Sequence, residues 1–219
     1  MIVHNLSETP SILNTFLSEL RDTAIQTDRM RFRRNIERVG EIMAYEISKT
    51  ISYSNQATTT PLGISNSKLP DEEIVIANVL RAGLPLHQGI LNYFDKADNS
   101  FISAYRHHEE DPSKFEIIVE YLASPSLKNK TLILADPMLA SGKSMVNVHN
   151  ALLKIGKAKS IHLAAVVAAP EGIEYISKHF DSNTHLWVAA IDEKLNDYGY
   201  IIPGLGDAGD LSFGTKLQH

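Results

Sequence analysis

The stretch that most constrains the fold runs from Thr131 to Ser144 and reads TLILADPMLASGKS. It begins with residues that favour a buried strand, reaches an acid at Asp136, and continues through a turn of small residues. Beyond the turn, apolar residues recur every three or four positions, which is the spacing of one helix face: Met145, Val148, Leu152 and Ile155. The stretch therefore predicts a buried strand, a loop and a helix, the repeating unit of an open α/β sheet.

The loop within this stretch carries residue types that suit a phosphate group. A helix N-terminus presents unpaired backbone N–H groups and the positive end of the helix dipole. Gly142 lets the backbone approach a ligand closely. Ser141 and Ser144 supply hydroxyl groups, and Lys143 supplies a positive charge. Asp136 ends the predicted strand, at the edge where open α/β sheets bind their ligands.

Three interpretations fit this stretch. A Walker A loop reads G-x-x-x-x-G-K-[ST], and Gly142, Lys143 and Ser144 match its second half. Pro137 stands where the first glycine would be, and an acid at the start of the loop is unsuited to a triphosphate, so a P-loop kinase is disfavoured. A phosphoribosyltransferase loop has the same order of strand, acid and small-residue turn. An ordinary β–α connection needs no ligand, and this stretch alone does not separate the last two interpretations.

Composition limits the class of protein. The chain has 219 residues, of which 43% are hydrophobic, so we expect a single domain over residues 1–219. A net charge of −5 argues against nucleic acid as a partner, and the absence of cysteine excludes thiolate catalysis and Cys-based metal sites. The start of the chain lacks the pattern of a signal peptide, and no segment has the roughly twenty apolar residues of a membrane span. We therefore expect a cytoplasmic protein with no membrane partner.

Two helices are predicted over about residues 11–48. The first runs from a capping residue, Ser11, to Thr27. The second carries an apolar stripe: Ile36, Val39, Met43 and Ile47. A basic run, Arg29 to Arg34, lies between them and would suit an anion. Because charged runs are usually solvated, we interpret it as the exposed start of the second helix, with the arginine stems packed along it.

Three strands are predicted before the central stretch. Glu73 to Leu80 is a near-continuous apolar run that ends at Arg81, and Asn99 to Tyr105 ends at Arg106. Each arginine therefore stands at the carboxyl end of a strand, where ligands bind in open sheets. Phe115 to Leu122 is the third strand, and we expect it to pair with the preceding one as a flap hairpin.

Two polar segments flank these strands. Ser52 to Asp71 is rich in Thr, Ser and Asn and is interpreted as loop or edge structure. His107 to Asp111 is predicted to be a mobile loop and is our candidate for a segment that closes over a ligand. Its adjacent histidines raise the question of a metal site, but such a pair usually points apart, and the sequence fixes no further ligand.

The strand pattern continues after the central stretch. Ser160 to Ala169 reads as an apolar strand, a helix follows from Pro170 to about Phe180, and His185 to Ile191 reads as another strand. Strands that alternate with helices of this length predict an α/β fold with a mostly parallel central sheet and helices on both faces. The flap hairpin and a C-terminal segment complete the expected architecture.

The C-terminal segment, about residues 198–215, reads YGYIIPGLGDAGDLSFGT and has no periodicity of a helix or strand. We expect an ordered loop rather than a free tail, because several apolar residues in it need burial: Ile201, Ile202, Leu205 and Phe213. Its glycines let backbone N–H and C=O groups face a ligand directly. A planar base with alternating donors and acceptors is the kind of ligand that such a backbone can bind.

Five motifs together resemble those of the uracil phosphoribosyltransferases, within the type I phosphoribosyltransferase family. They are VLRAGL (Val79 to Leu84), AYR (Ala104 to Arg106), DPMLASGKS (Asp136 to Ser144), AAPEGI (Ala168 to Ile173) and the YIIPGLGDAGD tail with FGT. They follow the family's order and spacing and span most of the chain beyond the first helix. The tail is the most specific motif, because other phosphoribosyltransferases build their base site differently.

The resemblance implies a reaction and a set of residues. Uracil reacts with phosphoribosyl pyrophosphate (PRPP) to give UMP and pyrophosphate, a step of pyrimidine salvage. The implied PRPP-binding residues are Arg81, Arg106, Asp136, Pro137, Met138, Leu139, Ala140, Ser141, Gly142, Lys143, Ser144 and Asp207. The implied uracil-binding residues are Ile201, Gly206, Asp207 and Ala208, acting largely through the main chain. The implied catalytic residues are Asp136, Asp207 and Arg106.

The resemblance also implies Mg²⁺ as the cofactor, held mainly through PRPP with Asp207 nearby and no direct protein ligand assigned. It implies a homodimer or a higher homo-oligomer and raises GTP as an effector. Two alternatives remain open at this point. One is a regulator that binds PRPP or uridine nucleotides without turnover, and the other is transfer to a different base.

The sequence departs from the family's pattern in three places, one of which is a pair of residues. Lys143 stands where the family usually has a second glycine, and it either strengthens phosphate binding or crowds the loop. Ser141 replaces the usual threonine and keeps the hydroxyl. The pair His107 and His108 replaces the acidic residues that usually follow Arg106.

Overall fold

The computed structural model describes residues 1–108 and 115–217, and the side chains of residues 104–119 lie outside the described part. The strands are β1 (Ile2–Asn5), β2 (Tyr53–Thr60), β3 (Gly63–Pro70), β4 (Ile74–Leu80), β5 (Asp98–His108), β6 (Phe115–Ala123), β7 (Thr131–Ala135), β8 (Met138–Leu139), β9 (Ser160–Ala168), β10 (His185–Ile191), β11 (Lys194–Leu195) and β12 (Ile201–Ile202). The α-helices are α1 (Leu13–Arg21), α2 (Arg29–Ser48), α3 (Leu84–Leu91), α4 (Lys143–Leu153), α5 (Pro170–Ser177) and α6 (Ala208–Phe213).

The central sheet confirms the predicted α/β fold. Its order is β1-β10-β9-β7-β4-β5-β6, with the short strand β8 also paired to β9. All pairings are parallel except that of β6 with β5. Strands β4, β7 and β9 lie in the middle and are buried almost throughout, which explains their near-continuous apolar sequence.

Helices cover both faces of the sheet. On one face, α1, α2 and α3 pack on β4 and β7 through a core that includes Ile36, Ile76 and Ile133. On the other face, α4 and α5 pack through a core that includes Leu134 and Leu152. Because the central strands run parallel, their carboxyl ends meet at one edge of the sheet, and the loops after β4 and β7 leave from that edge.

The first N-terminal helix is shorter than predicted, whereas the second starts at the basic run as predicted. The first ends at Arg21 rather than Thr27, because Asp22 turns to an extended conformation and its Oδ1 accepts a hydrogen bond from the Ala24 amide at 2.8 Å. The second begins at Arg29, capped by the Asp28 carboxylate, so the basic run forms its first turns. Two of these arginines form ion pairs, since Arg31 and Arg34 contact carboxylates at 2.5 and 2.6 Å.

Several short or exposed β elements were missed or only partly predicted from the sequence, among them the three two-residue strands β8, β11 and β12. Residues 52–71, interpreted as loop or edge structure, form an antiparallel ribbon in which β2 pairs with β3 apart from the main sheet. Strand β1 lies at the edge of the sheet beside β10, and four residues are too few to show a periodicity. The predicted flap hairpin is confirmed as the β5–β6 pair. The backbone of His107 and His108 ends β5, and the rest of the predicted closing loop lies outside the described residues.

Candidate active site

Three segments meet at the carboxyl edge of the sheet. They are the turn after β4 (residues 81–83), the loop after β7 (residues 136–142), and the C-terminal segment from β12 to α6. Close approaches join them. A Cβ placed on Gly83 would lie 3.0 Å from the carbonyl oxygen of Ala135, and one placed on Gly209 would lie 3.8 Å from the Ala82 Cβ. The predicted PRPP and uracil residues on these segments therefore share one edge.

The loop after β7 is fixed by hydrogen bonds from its own backbone. Asp136 Oδ1 accepts a hydrogen bond from the Met138 amide at 3.3 Å. The carbonyl of Pro137 accepts from the amides of Val166 and Val167 on β9, both at 3.0 Å. Residues 138–139 add the short strand β8 beside β9. The loop is therefore tied to the sheet directly before it turns into α4.

The turn into α4 has the geometry expected of a phosphate-binding helix N-terminus. Gly142 is the N-cap residue and has a φ of 76°, a left-handed conformation that glycine adopts without strain. Gly142 has no side chain to cap the first turn of α4, and the positive end of the helix dipole lies there, which favours an anion. Ser141 and Ser144 are half-buried beside this turn, and Lys143, exposed, is the first helical residue.

Helix α5 supports the loop from behind, which sequence reasoning did not anticipate. A Cβ placed on Gly172 would lie 2.1 Å from the Ala140 carbonyl oxygen. A Cβ on Gly142 would lie 2.8 Å from Ile176 Cγ2. The loop and α5 thus touch through glycine. The sequence signal was present in the AAPEGI motif, but its structural reason becomes visible only when α5 is placed against the loop.

The structure describes the side chain of Arg81 but not that of Arg106. Arg81 lies at the turn after β4, where its Nη2 donates to Asp210 Oδ1 at 3.1 Å and to the Gly214 carbonyl oxygen at 3.2 Å. The Leu80–Arg81 peptide bond is cis. The two hydrogen bonds join Arg81 to the C-terminal segment, with its guanidinium still partly open to solvent. Arg106 lies on β5, and its side chain is outside the described residues.

The C-terminal segment contains a helix where a loop was predicted. Asp207 caps α6, because its Oδ1 accepts a hydrogen bond from the Asp210 amide at 2.9 Å. The helix has six residues, which is too short for an apolar periodicity to appear in the sequence. Gly206 precedes the cap with a φ of 85° and is exposed. Of the four apolar residues expected to need burial, Ile201 and Leu205 are buried and Ile202 is half-buried, but Phe213 is exposed, so that part of the prediction is wrong.

Asp207 presents its second carboxylate oxygen outward. Oδ2 lies 3.6 Å from Lys216 Nζ, and the side chain is 39% exposed. One oxygen of Asp207 therefore holds the helix, while the other faces solvent and a cation. Among the described residues there is no group of three or more His, Cys, Asp or Glu side chains arranged to hold a metal ion.

Residues distant in sequence hold the segment that precedes Gly206. Arg21 and Asp192 form an ion pair with an Nη2–Oδ1 distance of 2.6 Å, and both bind the backbone of Gly204. Gln26 Nε2 donates to the Leu205 carbonyl oxygen at 3.3 Å. None of these three side chains was singled out from the sequence, because each stands in a stretch with no recognisable site motif.

A cluster of aromatic rings occupies the opposite edge of the sheet, toward the amino ends of β9 and β10. Trp187 Nε1 donates to His162 Nδ1 at 3.1 Å, and His4 stacks on Trp187. Burial, reinforced by nearby His185, lowers the pKa of His162 to about 4. Because indole nitrogen is only a donor, His162 accepts this bond as a neutral ring. The cluster belongs to the folding core rather than to the candidate site.

Comparison with known proteins agrees with the geometry. A family model described as uracil phosphoribosyltransferase matches residues 7–215. A protein of Porphyromonas gingivalis named uracil phosphoribosyltransferase is 51% identical over 217 residues, which cover 99% of this chain and 100% of that protein. A protein of the same name from Methanococcus vannielii is 40% identical over 219 residues, covering 99% of this chain and 91% of that protein.

A solved structure, that of the AQ2163 protein from Aquifex aeolicus, is 29% identical with a TM-score of 0.87 and covers 99% of this chain and 100% of that chain. Among the helices of residues 1–108 and 115–217, none combines the length and apolar character needed to cross a membrane. The motifs, the three segments at the carboxyl edge and the full-length matches agree, and the chain belongs to the uracil phosphoribosyltransferase family.

Proposed function

We propose that this protein transfers the 5-phosphoribosyl group of PRPP to N1 of uracil, which gives UMP and pyrophosphate. The observation that carries the proposal is the placement of the C-terminal segment. Residues 206–208 of this segment lie at the carboxyl edge of the sheet. Asp210 Oδ1 accepts a hydrogen bond from Arg81 Nη2 at 3.1 Å and so links the segment to the turn after β4. Relatives that match over nearly the full chain carry the name of this activity. We assign the reaction to one catalytic domain spanning residues 1–219.

PRPP would lie along the carboxyl edge between the turn after β4 and the loop after β7. Residues 140–144, at the N-terminus of α4, would hold the 5′-phosphate, since the positive end of the helix dipole favours an anion. Asp136 would accept hydrogen bonds from the ribose hydroxyls. Pro137, Met138 and Leu139 would contribute by fixing the loop to β9, as their backbone hydrogen bonds indicate.

The remaining residues would stabilise the charges that develop during the reaction. As the bond from the anomeric carbon to pyrophosphate breaks, the ribose ring becomes positive and the leaving group becomes more negative. Arg81, and Arg106 on β5, would stabilise the leaving group electrostatically. Asp136 would both hold the sugar and lie near the developing positive charge. No covalent nucleophile is needed, because much of the rate comes from aligning the base with the sugar.

Uracil would be read by backbone groups. Gly206 is exposed at a φ of 85°, a conformation that leaves its peptide groups uncovered by a side chain. The backbone of Asp207 and Ala208 follows directly. Ile201, a buried residue of the same segment, would pack near the base. Backbone donors and acceptors at fixed positions match the alternating groups of a pyrimidine edge.

Mg²⁺ is the cofactor we propose, carried mainly by the oxygens of PRPP. Mg²⁺ usually keeps several waters and uses one or two carboxylates together with substrate phosphates. The outward oxygen of Asp207, now 3.6 Å from Lys216 Nζ, is a donor of the right chemistry at the right edge. Bound there, the ion would neutralise charge on the leaving pyrophosphate.

We also propose that the protein acts as a homodimer or a larger homo-oligomer. The β2–β3 ribbon supports this, because its two strands form a separate sheet and leave Leu62 100% and Ile64 73% exposed. A two-stranded ribbon is marginal in water on its own, so contact with a second copy would stabilise it. The family resemblance alone supports a GTP effector. The composition of the chain supports a cytoplasmic location, with neither nucleic acid nor a membrane as partner.

The test is UMP formation from PRPP and uracil with Mg²⁺, with cytosine, hypoxanthine and orotate assayed in parallel. We expect product from uracil alone. Product from another base would move the proposal to that base. PRPP binding without product from any base, with and without GTP, would contradict the proposal and favour a regulator that binds PRPP without turnover.

A further inference from the structure

The two backbone groups of Gly204 are held by a pair of charged side chains from elsewhere in the chain. Asp192 Oδ2 accepts a hydrogen bond from the Gly204 amide at 2.9 Å. Arg21 Nη1 donates to the Gly204 carbonyl oxygen at 3.0 Å. Gly204 itself is buried. Both polar groups of one residue, directly before the proposed uracil-reading backbone, are therefore fixed by side chains.

The two side chains also fix each other. Arg21 and Asp192 form a two-pronged pair, with Nη1–Oδ2 at 2.9 Å and Nη2–Oδ1 at 2.6 Å. The Asp192 side chain is only 4% exposed. Such a paired, charge-assisted geometry has a defined direction as well as strength. We call the three residues Arg21, Asp192 and Gly204 the tail clamp.

The tail clamp connects the segment to rigid parts of the fold. Asp192 follows β10 directly, and its amide donates to the Ala168 carbonyl oxygen at 2.8 Å, at the carboxyl end of β9. Arg21 is the last residue of α1, whose apolar side packs into the core. Gly204 is thus held between the sheet and a packed helix rather than by other loop residues.

Gly204 leaves little room for an alternative conformation. Its φ is 61°, and a Cβ there would lie 2.2 Å from the Ile201 carbonyl oxygen. The turn from Ile201 to Gly204 is therefore tight, and a shift of Gly204 would be passed to its neighbours. Those neighbours are Ile201 on one side and residues 206–208 on the other, the positions proposed to bind uracil.

We propose that Arg21 and Asp192 are positioning residues that set the affinity for uracil by fixing Gly204, without touching either substrate. The inference rests on the proposed function. Backbone recognition depends on donors and acceptors at fixed places, and a displacement of about 1 Å can cost on the order of 10²-fold in rate. The loop after β7, which would anchor PRPP by its 5′-phosphate, is held by β9 and α5, so we expect the tail clamp to affect PRPP binding much less than uracil binding, although Asp207 serves both.

The experiment compares Arg21→Gln with Arg31→Gln. Arg31 is a matched control, because it also forms a two-pronged ion pair, and its partner is Glu19 on α1. Arg21→Gln should raise the KM for uracil by about tenfold to a hundredfold and leave the KM for PRPP within about twofold. Arg31→Gln should change neither KM. Equal uracil KM values in the two variants, or a parallel rise in both substrates' KM for Arg21→Gln, would overturn the inference.

Two further measurements separate positioning from stability. If Arg21→Gln folds poorly, Arg21→Lys keeps the charge but loses the fork, and it should give an intermediate uracil KM with a near-normal melting temperature. A lower melting temperature with unchanged KM values would show a purely structural role and would overturn the inference. The unaltered protein is assayed beside them. If it makes no UMP, the proposed function fails; if it makes UMP while the variants keep its uracil KM, only the tail clamp fails.

Discussion

The two halves of the candidate site are held in different ways. The loop after β7 is fixed by its own strand–loop–helix unit and by the next one, through Pro137 on β9 and Gly172 on α5. The base segment depends on Arg21, which precedes Gly204 by 183 positions, and on Gln26, which precedes Leu205 by 179. A phosphate can be bound by a local motif, whereas a base read by backbone needs support from across the fold.

The difference fits the chemistry of the two ligands. A phosphate is bound by charge and by a helix terminus, features that a short segment supplies by itself. A planar base is distinguished from other bases by the exact direction of a few hydrogen bonds, so small displacements matter. We therefore expect variants near the loop to act on PRPP and variants near the tail clamp to act on uracil.

The largest effect is expected from Asp207→Asn, which tests whether the base segment contributes to the chemistry as well as to recognition. Asparagine caps helices as well as aspartate, so α6 should still begin at Ala208. The carboxylate proposed beside Mg²⁺ is lost, and we expect kcat for UMP formation to fall by about 10²–10³-fold. The exposed Asp197→Asn, nearby in the chain, is the control. Near-normal turnover would remove Asp207 from the site.

Acid should destabilise the whole fold rather than one half of the candidate site, because the buried His162 belongs to neither half. Its folded pKa, lowered to about 4 chiefly by burial, lies below the value of 6.5 for an ordinary histidine. The neutral ring therefore stabilises the fold fully above pH 6.5, and this share is lost as pH falls toward 4. We expect the free energy of unfolding to drop by about 2 kcal/mol from pH 7 to pH 5.

Urea unfolding at the two pH values measures this loss. His162→Gln is the control, because an amide can still accept the Trp187 hydrogen bond but does not titrate. The variant should lack this part of the pH dependence. An unchanged pH dependence in His162→Gln would show that another group is responsible.

Gly172→Ala tests the support of the phosphate half. The added Cβ would meet the Ala140 carbonyl oxygen at 2.1 Å, so the loop or α5 must move. We expect the KM for PRPP to rise by about tenfold. Expressed as a free energy, this change lies at the lower end of the usual cost of overpacking a contact. The KM for uracil should stay near normal. Gly63→Ala, where a Cβ meets nothing within 4 Å, is the matched control and should change neither constant.

The smallest effect is expected from Lys143→Gly, which restores the residue that the family usually has. Lys143 is an exposed first residue of α4, and exposed substitutions have small effects. We expect kcat and the KM for PRPP to stay within about threefold of the unaltered protein. Lys143→Met separates charge from backbone flexibility. A large loss in both variants would show that the lysine charge has become essential to phosphate binding.

The sequence predicted most of the sheet because the signals there are local. The buried strands β4, β7, β9 and β10 are continuous apolar runs, and the turn into α4 carries its glycine within the motif. Strand β1 and helix α6 were missed because elements of four and six residues show no periodicity. The ribbon of residues 53–70 was predicted only as loop or edge structure, because both of its faces are exposed and no alternation of apolar and polar residues marks it.

The residues of the candidate site also differ in whether a local sequence signal marks them. Asp136 and Arg81 could be selected from the sequence because each follows a strand at its carboxyl end, and Gly142 because it stands in a small-residue turn directly before a helical pattern. Arg21 and Asp192 could not, because the reason for each is the other, 171 positions away. Their pairing becomes visible only when α1 and the end of β10 are brought together by folding.

The central claim is that the two halves of the site are supported separately, and one crossed measurement tests it most directly. The KM for PRPP and the KM for uracil are determined side by side for Gly172→Ala and Asp192→Asn. We predict that Gly172→Ala raises only the PRPP value and that Asp192→Asn raises only the uracil value, by about tenfold each. If either variant raises both constants together, the two halves form one coupled unit and the account is wrong.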